Sequence, residues 1–244
     1  MSVFDKIFKT KSERGGICTA VIVAAGNSQR MGRDKILMPM GDRPVIAHTL
    51  AAFQKSEFVD EIVVVTKSES IQTIADICRQ YGIDKISKVM CGGKTRAESA
   101  LIGVCAADES SRLIAIHDGA RPFPSESLIG RVVSAAMQNS AAAPAVSPTD
   151  TIRILNTKGS VISTPDRELV SLIQTPQVFD AHLIRTALLR AVERELTITD
   201  DCSAVEAMGG KITVVAGEQT NIKLTSAIDL YLAEKILAER GAAL

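Results

Sequence analysis

The segment Val21-Ile22-Val23-Ala24-Ala25-Gly26-Asn27-Ser28-Gln29-Arg30-Met31-Gly32-Arg33-Asp34-Lys35 holds the residue types from which this chain could build chemistry. An apolar strand runs into a loop of small residues, and the loop then delivers three cations. Small side chains let the backbone close on a ligand with its N–H groups free for anionic oxygens, which Arg30, Arg33 and Lys35 would neutralise. The pattern reads as a polyphosphate cradle, though of neither common type. A Walker loop places four residues between its glycines and follows them with Lys-Ser/Thr; here five residues separate Gly26 from Gly32, and Arg33 follows. A dinucleotide fingerprint needs three close glycines, and this turn holds only Gly26. What remains is a nucleotide site in which positive side chains stand over a triphosphate.

Four further segments carry reactive or binding residue types. His117-Asp118-Gly119-Ala120-Arg121-Pro122-Phe123 follows an apolar run. An Asp at a strand's carboxyl end beside a phosphate cradle is placed to hold Mg²⁺, so Asp118 is the expected metal ligand, with a strand-end cap as the plainer reading. Arg121 offers a planar fork for a second phosphate. His117 reads as a packing residue, since a phosphate nucleophile needs no base. Cys91-Gly92-Gly93-Lys94-Thr95-Arg96 precedes a helical stretch with Glu98 and Ser99, so a base or phosphate could meet backbone amides there, although a plain turn explains the glycines as well. Thr197 to Asp201 and Thr220 to Thr225 put polar groups ahead of helical segments, where capping accounts for the threonines and aspartates but not for Lys223.

Such residues need a scaffold, and the hydrophobic pattern supplies one. Apolar runs predict strands at 17–25, 61–66, 85–90, 112–117, 141–147 and 211–216, and helical periodicity predicts helices at 44–55, 69–81, 96–107, 125–139, 180–194 and 225–241. Strands that are apolar throughout indicate helices on both faces, hence an α/β fold: a doubly wound, mainly parallel, Rossmann-like sheet. Ligands then sit beyond the strands' carboxyl ends, in the loops at 24–35, 91–96, 117–123 and 147–151. Residues 148–176 break the rhythm: two short β-branched runs flank Asn156-Thr157-Lys158-Gly159, a hairpin signal. With little core of its own, that arm is expected to project and pack against another subunit. Residues 1–16 read as an extension, with Val3, Phe4, Ile7 and Phe8 on one helical side, ahead of a single domain at 17–244.

The 244 residues balance 28 Lys plus Arg against 28 Asp plus Glu, so no global field recruits nucleic acid or a membrane, and any cationic site is local. No apolar run reaches the roughly 18 residues of a membrane span. Five scattered cysteines without metal spacing fit free thiols in a reducing, cytoplasmic setting. A nicotinamide dehydrogenase would end its second strand with an acid, whereas Thr66-Lys67 stands there. A non-catalytic nucleotide-binding protein on the same fold is the rival from another class.

In combination and order, these motifs resemble the 2-C-methyl-D-erythritol 4-phosphate cytidylyltransferase family of the non-mevalonate isoprenoid pathway, over about Thr19 to Ala238. The likeness rests on Ala24-Ala25-Gly26 with Arg30-Met31-Gly32, Gly92-Gly93 with Arg96 and Ser99, His117 to Pro122, Gln174-Thr175-Pro176-Gln177, Thr199-Asp200-Asp201 and Asn221-Ile222-Lys223. The resemblance implies transfer of CMP from CTP to methylerythritol phosphate with Mg²⁺ in a homodimer clasped by the arm. It implies that Ala24, Ala25, Gly26, Gly93 and Ser99 surround the cytidine and that Arg30, Lys35 and Lys223 act on the triphosphate. Asp118, Arg121, Thr151, Thr175 and Thr199 would face the acceptor, with Arg167 lent by the neighbouring subunit. The alternative acceptor is another polyol phosphate such as ribitol 5-phosphate. In two places the chain departs from the family pattern. Between Met31 and Lys35 it is about two residues shorter than many members, and Thr220 stands where some carry Asp.

Overall fold

The computed structural model describes residues 17–26 and 34–242. Arg30, the other loop residues at 27–33 and the extension at 1–16 lie outside the described residues. The sheet is built from β1 (Ile17–Val23), β4 (Glu61–Thr66), β5 (Ile86–Cys91), β6 (Ser111–Asp118), β7 (Ala141–Val146), β10 (Leu172–Ile173), β11 (Gln177–Asp180) and β12 (Thr213–Ala216). Two short antiparallel pairs lie off it, β2 (Pro39–Met40) with β3 (Arg43–Pro44) and β8 (Ile154–Leu155) with β9 (Val161–Ser163). The helices are α1 (Val45–Lys55), α2 (Ile71–Gln80), α3 (Arg96–Ala106), α4 (Glu126–Asn139), α5 (Ala181–Glu193), α6 (Asp201–Glu206) and α7 (Ala227–Ala242).

β1 pairs in parallel with β4 and β6, β4 with β5, and β7 with β12. β11 runs antiparallel between β6 and β7. β10 also runs antiparallel to β7, with its register two residues out of step with that of β11, so the two read as one strand interrupted at Gln174–Pro176. This interrupted strand departs from the sequence expectation, because two- and four-residue pieces beside a proline carry no periodicity to read. The short helix α6 likewise departs from the sequence expectation, since six residues are too few to show a helical period. The expected doubly wound, mainly parallel sheet is the fold observed.

Alternation along each strand feeds two cores. Ala20, Ile22, Ile62 and Val64 face α1, α4 and α7 through Leu50, Phe53, Ile129, Val133 and Ile236. Val21, Val65, Ile114 and Ile116 face α3 and α5 through Val104, Ile184 and Leu188. With both faces covered, the strand ends are what the sheet leaves open to a ligand. The hairpin at 154–163 forms as the Asn156 to Gly159 turn predicts, and Gly159 takes the left-handed φ of 82° that such a turn favours.

Candidate active site

The carboxyl ends of β1, β4, β5 and β6 open into a cleft of about 530 Å³. Each strand-end turn is pinned to a neighbour by a main-chain bond. Ala24 N–H donates to the Val65 carbonyl at 2.7 Å, Gly92 N–H to that of Thr66 at 2.7 Å, and Gly119 N–H to that of Val23 at 2.9 Å. Gly92 permits the turns to touch: a Cβ there would fall 2.5 Å from Ala25 Cβ and 2.8 Å from Ser99 Oγ. The Ser99 hydroxyl accepts from Gly93 N–H at 3.1 Å and donates to the Thr95 carbonyl at 2.9 Å, bracing the glycine turn against α3. Thr95 itself caps α3, accepting from Glu98 N–H at 3.1 Å.

Asp118, at the end of β6, is the electrostatic centre. Its carboxylate lies 2.8 Å from Lys223 Nζ, 3.5 Å from Arg121 Nε and 3.7 Å from Arg96 Nη2. Burial pushes this carboxyl up, but the pull of Lys223 and Arg96 outweighs burial and holds it well below the usual carboxylate range. Arg96 is in turn gripped by Asp201, a fully buried acid at the start of α6, through a two-pronged contact at 2.9 and 2.6 Å. Gln177 anchors that acid, its Oε1 accepting from Asp201 N–H at 3.1 Å and Cys202 N–H at 3.0 Å. Burial lowers the affinity of Arg96 for its proton, and the Asp201 charge more than reverses this, so the guanidinium stays charged. Lys223 is delivered by a segment tied down on both sides: Leu224 N–H donates to the Ala120 carbonyl at 2.9 Å, and the Asn221 amide to the Thr175 carbonyl at 2.8 Å.

Beneath Asp118 the hydrogen bonds fix their own directions. His117 Nε2 sits 3.0 Å from the Arg121 carbonyl, which can only accept, so that nitrogen carries the proton. Nδ1 of the neutral ring then accepts from the Thr175 hydroxyl at 3.0 Å, and that hydroxyl accepts from Asp118 N–H at 3.2 Å. Burial pushes the His117 pKa down to about 4. The unfolded chain takes up this proton near pH 6.5 and the folded chain does not until about 4, so stability falls as pH drops through that window. Between pH 7 and pH 4.5, wild type should lose about 2–3 kcal/mol more of unfolding free energy than His117→Gln does, measured by urea titration. Equal losses in the two proteins would mean that the ring takes its proton in the folded state.

The cleft brings together Ala24, Ala25, Gly26, Lys35, Gly93, Ser99, Asp118 and Lys223, residues far apart in sequence. Arg121 abuts it through Asp118 and donates to the Asn221 carbonyl at 2.7 Å. Thr175 lies buried below Asp118, its hydroxyl engaged as above, rather than in the wall. Thr151, Arg167 and Thr199 are exposed and stand outside the cleft wall. Arg96 and Lys67 line the cleft without having been singled out as binding residues from sequence. The glycine-turn motif carried a signal for Arg96, whereas a lysine after a strand carried none for Lys67.

Among the described residues, no group of three or more His, Cys, Asp or Glu side chains is placed to hold a metal ion. Asp118, the expected Mg²⁺ ligand, is already compensated by three cations, and a lone carboxylate in that company does not fit a resident divalent ion. No described helix is long and apolar enough to cross a membrane, and the cysteines of the described residues are unbridged.

A family model described as 2-C-methyl-D-erythritol 4-phosphate cytidylyltransferase matches residues 18–239. The enzyme of that name from Halalkalibacterium halodurans is 38% identical over 224 residues, covering 91% of this chain and 97% of that one. One from Clostridium botulinum is 37% identical over 221 residues, with 90% and 96% covered. The crystal structure of 4-diphosphocytidyl-2C-methyl-D-erythritol synthase from Anaerococcus prevotii has a TM-score of 0.83 at 35% identity, covering 92% of this chain and 97% of its own. The Thermus thermophilus cytidylyltransferase structure has a TM-score of 0.74 at 31% identity, covering 89% and 98%. Likeness of this extent takes in the strand framework and every turn that lines the cleft, and the chain belongs to the 2-C-methyl-D-erythritol 4-phosphate cytidylyltransferase family.

Proposed function

We propose that this chain transfers CMP from CTP to 2-C-methyl-D-erythritol 4-phosphate, forming CDP-methylerythritol and pyrophosphate. An acceptor phosphate oxygen bonds to the α-phosphorus as the bond from that phosphorus to the pyrophosphate oxygen breaks. The observation that carries this reading is a cleft lined by Lys35, Arg96 and Lys223, next to which the nearby histidine is buried with both nitrogens engaged. An acceptor phosphate with a second pKa of ~6 is already largely dianionic at neutral pH and needs no general base. Rate must then come from positioning and from cations on the phosphates, which is what the cleft offers.

In this reading the Ala24–Gly26 and Gly93 backbone, braced by Ser99, takes the cytidine. Lys35 and Lys223 act on the triphosphate together with Arg30. Asp118, Arg121, Thr175 and Thr199 belong to the acceptor side, with Thr175 acting through Asp118. Magnesium would come with the triphosphate and offset its charge, and Asp118, already compensated by Lys223, Arg121 and Arg96, would not hold it. The protein works as a homodimer in the cytoplasm, with Thr151 and Arg167 of the arm serving the neighbouring site. The arm's support is its exposed apolar surface: Ile154, Leu155, Val161, Ile162 and Leu169, the last 86% exposed.

A pyrophosphate-release assay pairing CTP, UTP and ATP with a panel of polyol phosphates tests the reading. CTP with methylerythritol phosphate should give the highest kcat/KM. UTP should fall about 10²-fold or more below CTP, because a carbonyl facing a backbone acceptor leaves both unpaired. Equal turnover with UTP, or faster turnover of ribitol 5-phosphate, would overturn the assignment.

A further inference from the structure

Asp34 and Lys67 form an ion pair at the rim of the cleft, Lys67 Nζ standing 3.2 Å from Asp34 Oδ2 with about one-fifth of each side chain exposed. The partners belong to different elements. Lys67 follows β4 directly, and Asp34 immediately precedes Lys35. Main-chain bonds hold the turn after Lys35: Leu37 N–H donates to the Asp34 carbonyl at 3.0 Å, and Ile46 N–H to the Ile36 carbonyl at 2.9 Å, fastening that turn to α1. The carboxylate of Asp34 makes a separate attachment, across to the end of β4. Lys35 therefore stands between a turn fastened to α1 and a residue fastened to β4, and both Lys35 and Lys67 line the cleft.

We infer that Lys67, acting through Asp34, is a positioning residue for Lys35: the ion pair sets where the Lys35 amine meets the phosphates. This rests on the role proposed for Lys35 above. A partly exposed ion pair adds little to global stability, so its consequence is local. Placement is nonetheless costly to lose, since a 1 Å displacement of a catalytic group costs on the order of 10²-fold in rate.

The test is a double-mutant cycle in kcat, on Asp34→Asn, Lys67→Met and the double variant. Each single variant should lose about tenfold in kcat with the KM for the acceptor unchanged, and the double should lose no more than either single, because both break one tether. Lys67→Arg should retain most of the rate, and thermal midpoints should match wild type throughout. Losses that multiply to about a hundredfold in the double variant would overturn the inference, since Lys67 would then meet the nucleotide independently of Asp34. So would a normal kcat in Lys67→Met. Lys35→Ala is measured alongside. If it turns over normally, the reading of Lys35 itself has failed; if it is inactive while Lys67→Met is normal, only the positioning role has failed.

Discussion

Lys223→Ala should lose about 10²–10³-fold in kcat with CTP while its unfolding curve stays close to wild type, as removal of one preorganised charge contact does elsewhere. The two halves of that expectation have separate causes. Lys223 is 40% exposed and packs no core, and its segment is held by Leu224 and Asn221 rather than by the lysine. Removing it does not strand Asp118, whose charge Arg121 and Arg96 still compensate. The chemistry keeps Lys35 in the cleft, but the arginines beside Asp118 do not take over from Lys223. Arg96 is committed to Asp201, and Arg121 to Asp118 and the Asn221 carbonyl, so neither can follow charge onto the leaving pyrophosphate. Pyrophosphate release at saturating CTP, run beside a chemical melt, reads both halves at once. Near-normal turnover would assign the lysine to Asp118 alone, as a structural partner.

Mixing Arg167→Ala with Lys35→Ala should restore activity to a pair of proteins that are each inactive. Arg167 begins a short 3₁₀ turn on the arm, exposed, outside the wall of its own chain's cleft, and next to Asp166, which caps that turn. The surrounding surface is apolar and uncovered in one chain, a condition that a second copy would relieve. If the second copy also receives Arg167, then in a mixed dimer one site carries both lesions and the other carries neither. With random exchange, half the dimers are mixed and each has one intact site, so about one-quarter of wild-type activity should return. A verified heterodimer population that stays inactive would place Arg167 in its own subunit's site or in a purely structural role.

The alternation of apolar runs and helical patterns is a local property, and it made the doubly wound sheet legible without coordinates. The small-residue turn, the glycine pair and Asp118 were legible for a related reason: the loops after the parallel strands β1, β4, β5 and β6 all open on the same side. The interrupted strand β10–β11 was not, because its pairing lies in β7 and β6 rather than in its own few residues. The partners of the charged residues were not legible either. Arg96 meets Asp201 across 105 positions, Lys67 meets Asp34 across 33, and nothing local distinguishes Asp201 from an ordinary helix-start acid. The same holds for Thr175, whose hydroxyl direction follows from a histidine 58 positions away. Local pattern dictates which residue types gather at the strand ends. Which of those charges compensate one another is settled by packing, because it depends on distances of a few ångströms between segments whose separation along the chain carries no such information.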